Sequence, residues 1–68
     1  MTTIYRLLTE DDTPAFCHKV SEALSKGWVL HGAPSITFDP QRGTVRCAQA
    51  VTKEIQGAYH PEMKLGQQ

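Results

Sequence analysis

Sixty-eight residues accommodate one small domain, and seven basic against seven acidic side chains give a formal net charge of +0 at pH 7. That balance, with Glu10-Asp11-Asp12 as the longest run of one sign, argues against a surface built for nucleic-acid phosphates or anionic membranes. Two cysteines are too few for a disulfide framework, and no apolar stretch approaches the length that spans a bilayer.

A chain of this size buries a modest share of its surface and usually needs a disulfide, a metal or a partner subunit as support. Oligomerisation is the expected support here. Met1 to Arg6 has neither a basic n-region nor an apolar h-region, so no signal peptide is expected. The expectation is a soluble cytoplasmic protein with reduced thiols.

Thr3 to Leu8 reads as a first strand, with Ile4, Tyr5, Leu7 and Leu8 favouring extended backbone. Thr9 to Asp12 leads into a helix. Thr13 suits the N-cap because Pro14 then falls at the first helical position, where a missing N–H costs nothing. The acidic residues before it are expected to face the positive end of the helix dipole. Phe16, Val20, Ala23, Leu24 and Gly27 recur at three- and four-residue steps and form one apolar stripe. Glu22 and Lys26 stand in the favourable order on the polar side. Gly27 fits the position that takes a left-handed conformation after a helix. The helix is expected over 14–26.

Trp28 to His31 begins a second strand. Gly32-Ala33-Pro34 interrupts it and places it at a sheet edge or a bulge. Ile36-Thr37-Phe38 resumes the extended pattern, and Asp39-Pro40-Gln41-Arg42-Gly43 is a strong turn signal. Thr44 to Ile55 reads as a long third strand. Its alternation fails around Cys47-Ala48-Gln49-Ala50, which suggests a bulge or burial on both faces. Residues 56–68 have no clear period; Tyr59, Met63 and Leu65 equip them as an arm that docks on the same chain or on a neighbour.

The resulting fold class is α+β, with order β-α-β-β: one amphipathic helix on a three-stranded sheet of strand order 1-3-2. Residues 1–55 form the single domain and 56–68 the tail. The expected core is Leu7, Phe16, Val20, Leu24, Trp28, Leu30, Ile36, Phe38, Val45 and Val51. Leu24→Asp should therefore unfold the domain. The sheet face away from the helix also carries apolar residues, which is a second reason to expect a dimer or larger assembly.

Tyr5-Arg6-Leu7-Leu8-Thr9, Asp11-Asp12, Phe16 to Val20, Glu22-Ala23-Leu24, Gly27-Trp28, Leu30, Gly32 and Pro34 together resemble the DUF1737 family of small bacterial proteins. Gln49, Ala50, Lys53-Glu54 and Tyr59 extend the likeness over nearly the whole chain. The helix–Gly–Trp–strand portion is also similar to the DUF4177 group. The resemblance implies the fold and a bacterial cytoplasmic setting, and it implies no catalytic residue.

The chemistry-bearing residues form no recognised constellation. Cys17 and His18 are neighbours on a helix and point about 100° apart. Cys17 reads as a small thiol beside the apolar stripe rather than a nucleophile. Cys47 lies near Cys17 if the third strand runs under the helix, and two reduced thiols are expected there. His18, His31 and His60 lack the spacing of a compact zinc motif, so no metal and no cofactor is expected. Trp28 reads as a core anchor at the helix end, with a ligand-stacking platform as the sharper alternative. Tyr5, Arg6 and Arg46 on one open sheet face would follow the logic of RNA-binding sheets, but the neutral charge argues against nucleic acid.

The expected function is non-catalytic: a homo-oligomeric protein-interaction or accessory module, with no nucleic-acid or membrane partner. The alternative is a small-ligand site at a subunit interface. Tyr5, Trp28, His31, Arg46 and Tyr59 are the candidate ligand or interface residues. An enzyme using Cys17 or a histidine is the third reading.

Overall fold

The computed structural model describes residues 1–68. Strand β1 spans Thr2–Asp11, helix α1 Pro14–Ser25, β2 Val29–Asp39 and β3 Thr44–Ile55, with a short 3-10 turn at Leu65–Gln67. The sheet order is β1-β3-β2, and β3 is antiparallel to both neighbours. The architecture is therefore the α+β arrangement that the hydrophobic pattern implies.

Both helix ends follow from local chemistry. Thr13 has extended backbone, its Oγ1 accepts from the Ala15 N–H at 3.3 Å, and Pro14 opens the helix. At the other end Gly27 takes φ 95, which only glycine adopts freely. The Trp28 N–H then reaches the Ala23 carbonyl at 3.1 Å and the Gly27 N–H reaches Leu24 at 3.2 Å. This is a Schellman closure, and its accompanying apolar contact is between Trp28 and Ala23. One glycine thus ends the helix and drops the tryptophan into the core.

Two of the three acidic residues before the helix are held by side-chain cations. Asp11 pairs with Arg46 at 2.8 Å and Arg42 at 3.6 Å, and Glu10 pairs with Lys19 at 3.3 Å. The strand runs on through Asp11, further than Leu8, and the register of β1 against β3 sets Asp11 opposite Arg46.

Strand β2 continues through Gly32-Ala33-Pro34 as a bulge rather than breaking. His31 pairs with Ala50 and Ser35 with Ala48, so these three residues lie opposite the single residue Gln49. Gln49 is 5% exposed. Its Nε2 donates toward the carbonyls of Ala50 at 2.9 Å, Gly32 at 3.2 Å and His31 at 3.5 Å. The irregular alternation of β3 has its cause here: a polar side chain is buried to satisfy backbone carbonyls that the bulge frees.

The core is smaller than the sequence pattern suggests, and it is shifted by one residue on β1. Its centre is Ile4, Leu8, Ala23, Trp28 and Val51, flanked by Val20, Ile55 and Leu65. Of the expected core, Trp28 and Val51 are buried, while Leu7, Leu24, Leu30, Ile36, Phe38 and Val45 are exposed. The reason is coverage. The 12-residue helix extends about 18 Å, whereas the 12-residue strand β3 extends about 40 Å. The helix packs chiefly on β1, and no residue of β2 is buried. Leu24 is 42% exposed, so a charge there meets solvent and is not expected to unfold the domain.

The tail folds back on its own chain. Leu65 packs against the core cluster, and Gln68 ties His60 and Met63 together through its side chain.

Candidate functional site

Because side chains alternate along a strand, the register assigns every sheet residue to a face. Ile4, Leu8 and Val51 face the helix. Tyr5, Leu7, Val29, His31 and Arg46 therefore face away from it. On that open face Tyr5 stands in line with Thr52 and Val29, Leu7 with Ala50 and His31, and Asp11 with Arg46 and Thr37. Apart from Arg46, the central strand contributes small side chains there, and the flanking Tyr5, Leu7 and Val29 are more than half exposed.

The five candidate residues do not converge on one site. Trp28 is 2% exposed. The Arg6 guanidinium lies 5.5 Å from its ring centroid and the Lys53 ammonium 5.8 Å, so cations of the same chain occupy its surroundings. Its indole N–H has no hydrogen-bond partner. Arg6 faces the helix, and the basic-aromatic grouping of Tyr5, Arg6 and Arg46 is split between the two faces. Arg46 is committed to Asp11. That hydrogen bond holds the Asp11 carboxyl below its ordinary pKa, with the charge of Arg42 adding to the effect, and it keeps Arg46 firmly charged. His31 is exposed on the open face.

Tyr5 and Tyr59 share one cleft. With Thr3, Ile4 and Leu65 they line a cleft of about 280 Å³ where the tail crosses the edge of β1. Neither strand patterning nor spacing predicts this grouping, because it depends on where an aperiodic tail lands.

The thiols are both free; Cys17 is exposed and Cys47 buried. Burial, reinforced by the nearby Asp12 carboxylate, pushes the Cys47 thiol up and leaves it protonated at neutral pH. No group of three or more His, Cys, Asp or Glu side chains is arranged to hold a metal ion. No helix is long and apolar enough to cross a membrane.

The second exposed surface lies on the helix side. A groove of about 260 Å³ runs between the helix, at Phe16 and Val20, and strand β2, at Leu30 and Pro34, with Gln49 as its floor. Beyond it, Ile36 and Phe38 project uncovered at 66% and 60% exposure. Sequence patterning marks these residues as apolar and assigns them to the core; it does not show that the helix stops short of them.

Fold and surface together define a small helix-backed antiparallel sheet with one edge strand left bare. Residues 2–54, from the start of β1 almost to the end of β3, match the family described as domain of unknown function DUF1737, and the chain belongs to that family. No curated protein and no solved structure matches the chain significantly.

Proposed function

We propose that this protein is a small non-catalytic interaction module that works as a homo-oligomer in a bacterial cytoplasm. The observation that carries the reading is strand β2. It has no buried residue, and on its helix side Leu30, Ile36 and Phe38 are each at least half exposed. Large contiguous apolar surface on a small domain is characteristic of protein–protein contact. The chemistry-bearing groups support a non-catalytic role: Arg46 is ion-paired with Asp11, and the Cys47 thiol is buried and protonated. Light scattering behind a sizing column, repeated across dilution, tests the reading. A dimer or larger species that persists on dilution is expected. A monomer at every concentration overturns self-association and directs the search to an external protein.

The cleft between Tyr5 and Tyr59 favours a second reading, a site for a small, largely apolar ligand. A ligand bound there raises the melting temperature in a concentration-dependent way. Tyr59→Ala should abolish that rise, and a rise that survives the substitution places the ligand elsewhere.

A further inference from the structure

We propose that the partner is a second copy of this chain, docked two-fold through the helix-side surface of β2, so that Ile36 and Phe38 of each copy fill the helix–β2 groove of the other. This rests on the reading of the protein as a self-associating module and specifies the surface it uses.

Three observations select this surface and this occupant. The first is area. Leu24, Leu30, Ile36, Phe38 and Val45 are 42%, 50%, 66%, 60% and 37% exposed. With the groove walls they leave on the order of 500 Å² of apolar surface, near the upper limit of what a monomer shows to water. Together with its polar rim, such a patch approaches the roughly 800 Å² that each partner of a standard interface buries.

The second is charge. Val29 to Phe38 contains no Asp, Glu, Lys or Arg. Docking through the side chains of this stretch therefore desolvates no charged group. The whole chain has a net charge of +0, so two copies approach without repulsion.

The third is self-complementarity. The groove at Leu30 and the projecting Phe38 lie on the same face of one strand, on opposite sides of Pro34. A two-fold axis near Pro34 sets the strands antiparallel and brings Phe38 of each copy over Leu30 of the other. An interface that closes on itself requires this reciprocity. The contact uses side chains rather than backbone pairing along the edge, because the bulge at Gly32–Pro34 distorts the ladder and Pro34 has no N–H to donate.

The test compares Leu30→Glu, Phe38→Glu and Leu7→Glu with the natural chain by light scattering across dilution, with circular dichroism as the check on folding. All three positions are at least half exposed in one copy, so the monomer fold should survive. Phe38→Glu and Leu30→Glu should each raise the dimer dissociation constant at least about 30-fold, and Leu7→Glu, on the opposite face, should leave it unchanged. Dissociation by Leu7→Glu alone overturns this interface while leaving the self-association reading intact. A natural chain that is monomeric at all concentrations overturns both. If a glutamate variant is unfolded, Phe38→Ser, which adds no charge, replaces it and should still weaken the dimer.

Discussion

Gln49 is the residue whose role is hardest to guess and easiest to explain. An amide sits in the middle of the central strand because three residues of β2 bulge opposite it, and it donates to the carbonyls of Gly32 within the bulge and His31 at its edge. Replacing it with Leu keeps the volume and removes every donor, leaving the part-buried carbonyls of His31, Gly32 and Ala50 without that partner. Gln49→Leu should cost about 1–3 kcal/mol in urea unfolding; an unchanged midpoint would mean that water satisfies the bulge unaided. Asp11 is informative in another way. Its carboxyl is held below the ordinary value first by the Arg46 hydrogen bond and then by the charge of Arg42. A lowered folded-state pKa contributes stability that is present above the unfolded value and lost as pH falls through the folded one. Glu10, hydrogen-bonded by the Asp11 N–H and by Lys19, and Glu22, hydrogen-bonded by Lys26, act with the same sign. Stability should therefore fall as pH drops below about 4, and Asp11→Asn should flatten that slope while leaving the Glu10 and Glu22 contributions in place. Melting curves across pH 2–6, a range set by ordinary carboxylate titration, read this directly; an identical slope in the variant would show that the pair contributes nothing, as exposed pairs often do.

Among the elements, the helix decides how much sheet is covered. Its stripe of Phe16, Val20, Ala23 and Leu24 is plain from spacing, but only Ala23 is buried. The helix lies close enough to the sheet that the small residue sits at the point of contact and the larger Leu24 leans out. Ala23→Asp should accordingly cost more than about 3 kcal/mol, since it places an unpaired charge inside the core. At dilutions where the chain is monomeric, Leu24→Asp should cost about 0.5 kcal/mol, the scale of an ordinary surface change. Chemical denaturation of the two variants side by side checks the contrast, and equal losses would mean that the helix is rotated about its axis. Strand β2 shows the converse. Its apolar residues are those of a core strand by composition, yet its position outside the helix's reach makes them a surface.

For the whole molecule the longest dimension is 42 Å against 22 and 18 Å across. The β2–β3 hairpin is longer than anything packed on it, and seven of 68 residues are buried. A core this small leaves a marginal monomer, which is consistent with the proposed second copy adding stability through mass action. The two thiols report on this state. Cys17 is exposed and should be alkylated readily, whereas Cys47 lies inside the sheet–helix layer and should react only through opening of the fold. Alkylation followed by mass spectrometry should show one fast and one slow modification, with the slow one slowing further as protein concentration rises. Equal rates would mean that the helix does not protect β3.

The sequence by itself determined the elements, their order and the turn chemistry. The Thr13-Pro14 start, the Gly27 stop, the Asp39–Gly43 turn and the span of β3 all rest on short-range steric and hydrogen-bonding rules that a few neighbouring residues satisfy alone. Strand order 1-3-2 followed from connection lengths and handedness. Tertiary structure decided which apolar residues are core and which are surface, because that depends on helix length set against strand length and on where the helix lies across the sheet. It also decided that Tyr5 and Tyr59 line one cleft, that Arg6 and Lys53 lie around Trp28 and that Asp11 pairs with Arg46. Each joins residues far apart in the chain, and no local period or propensity carries information about such contacts.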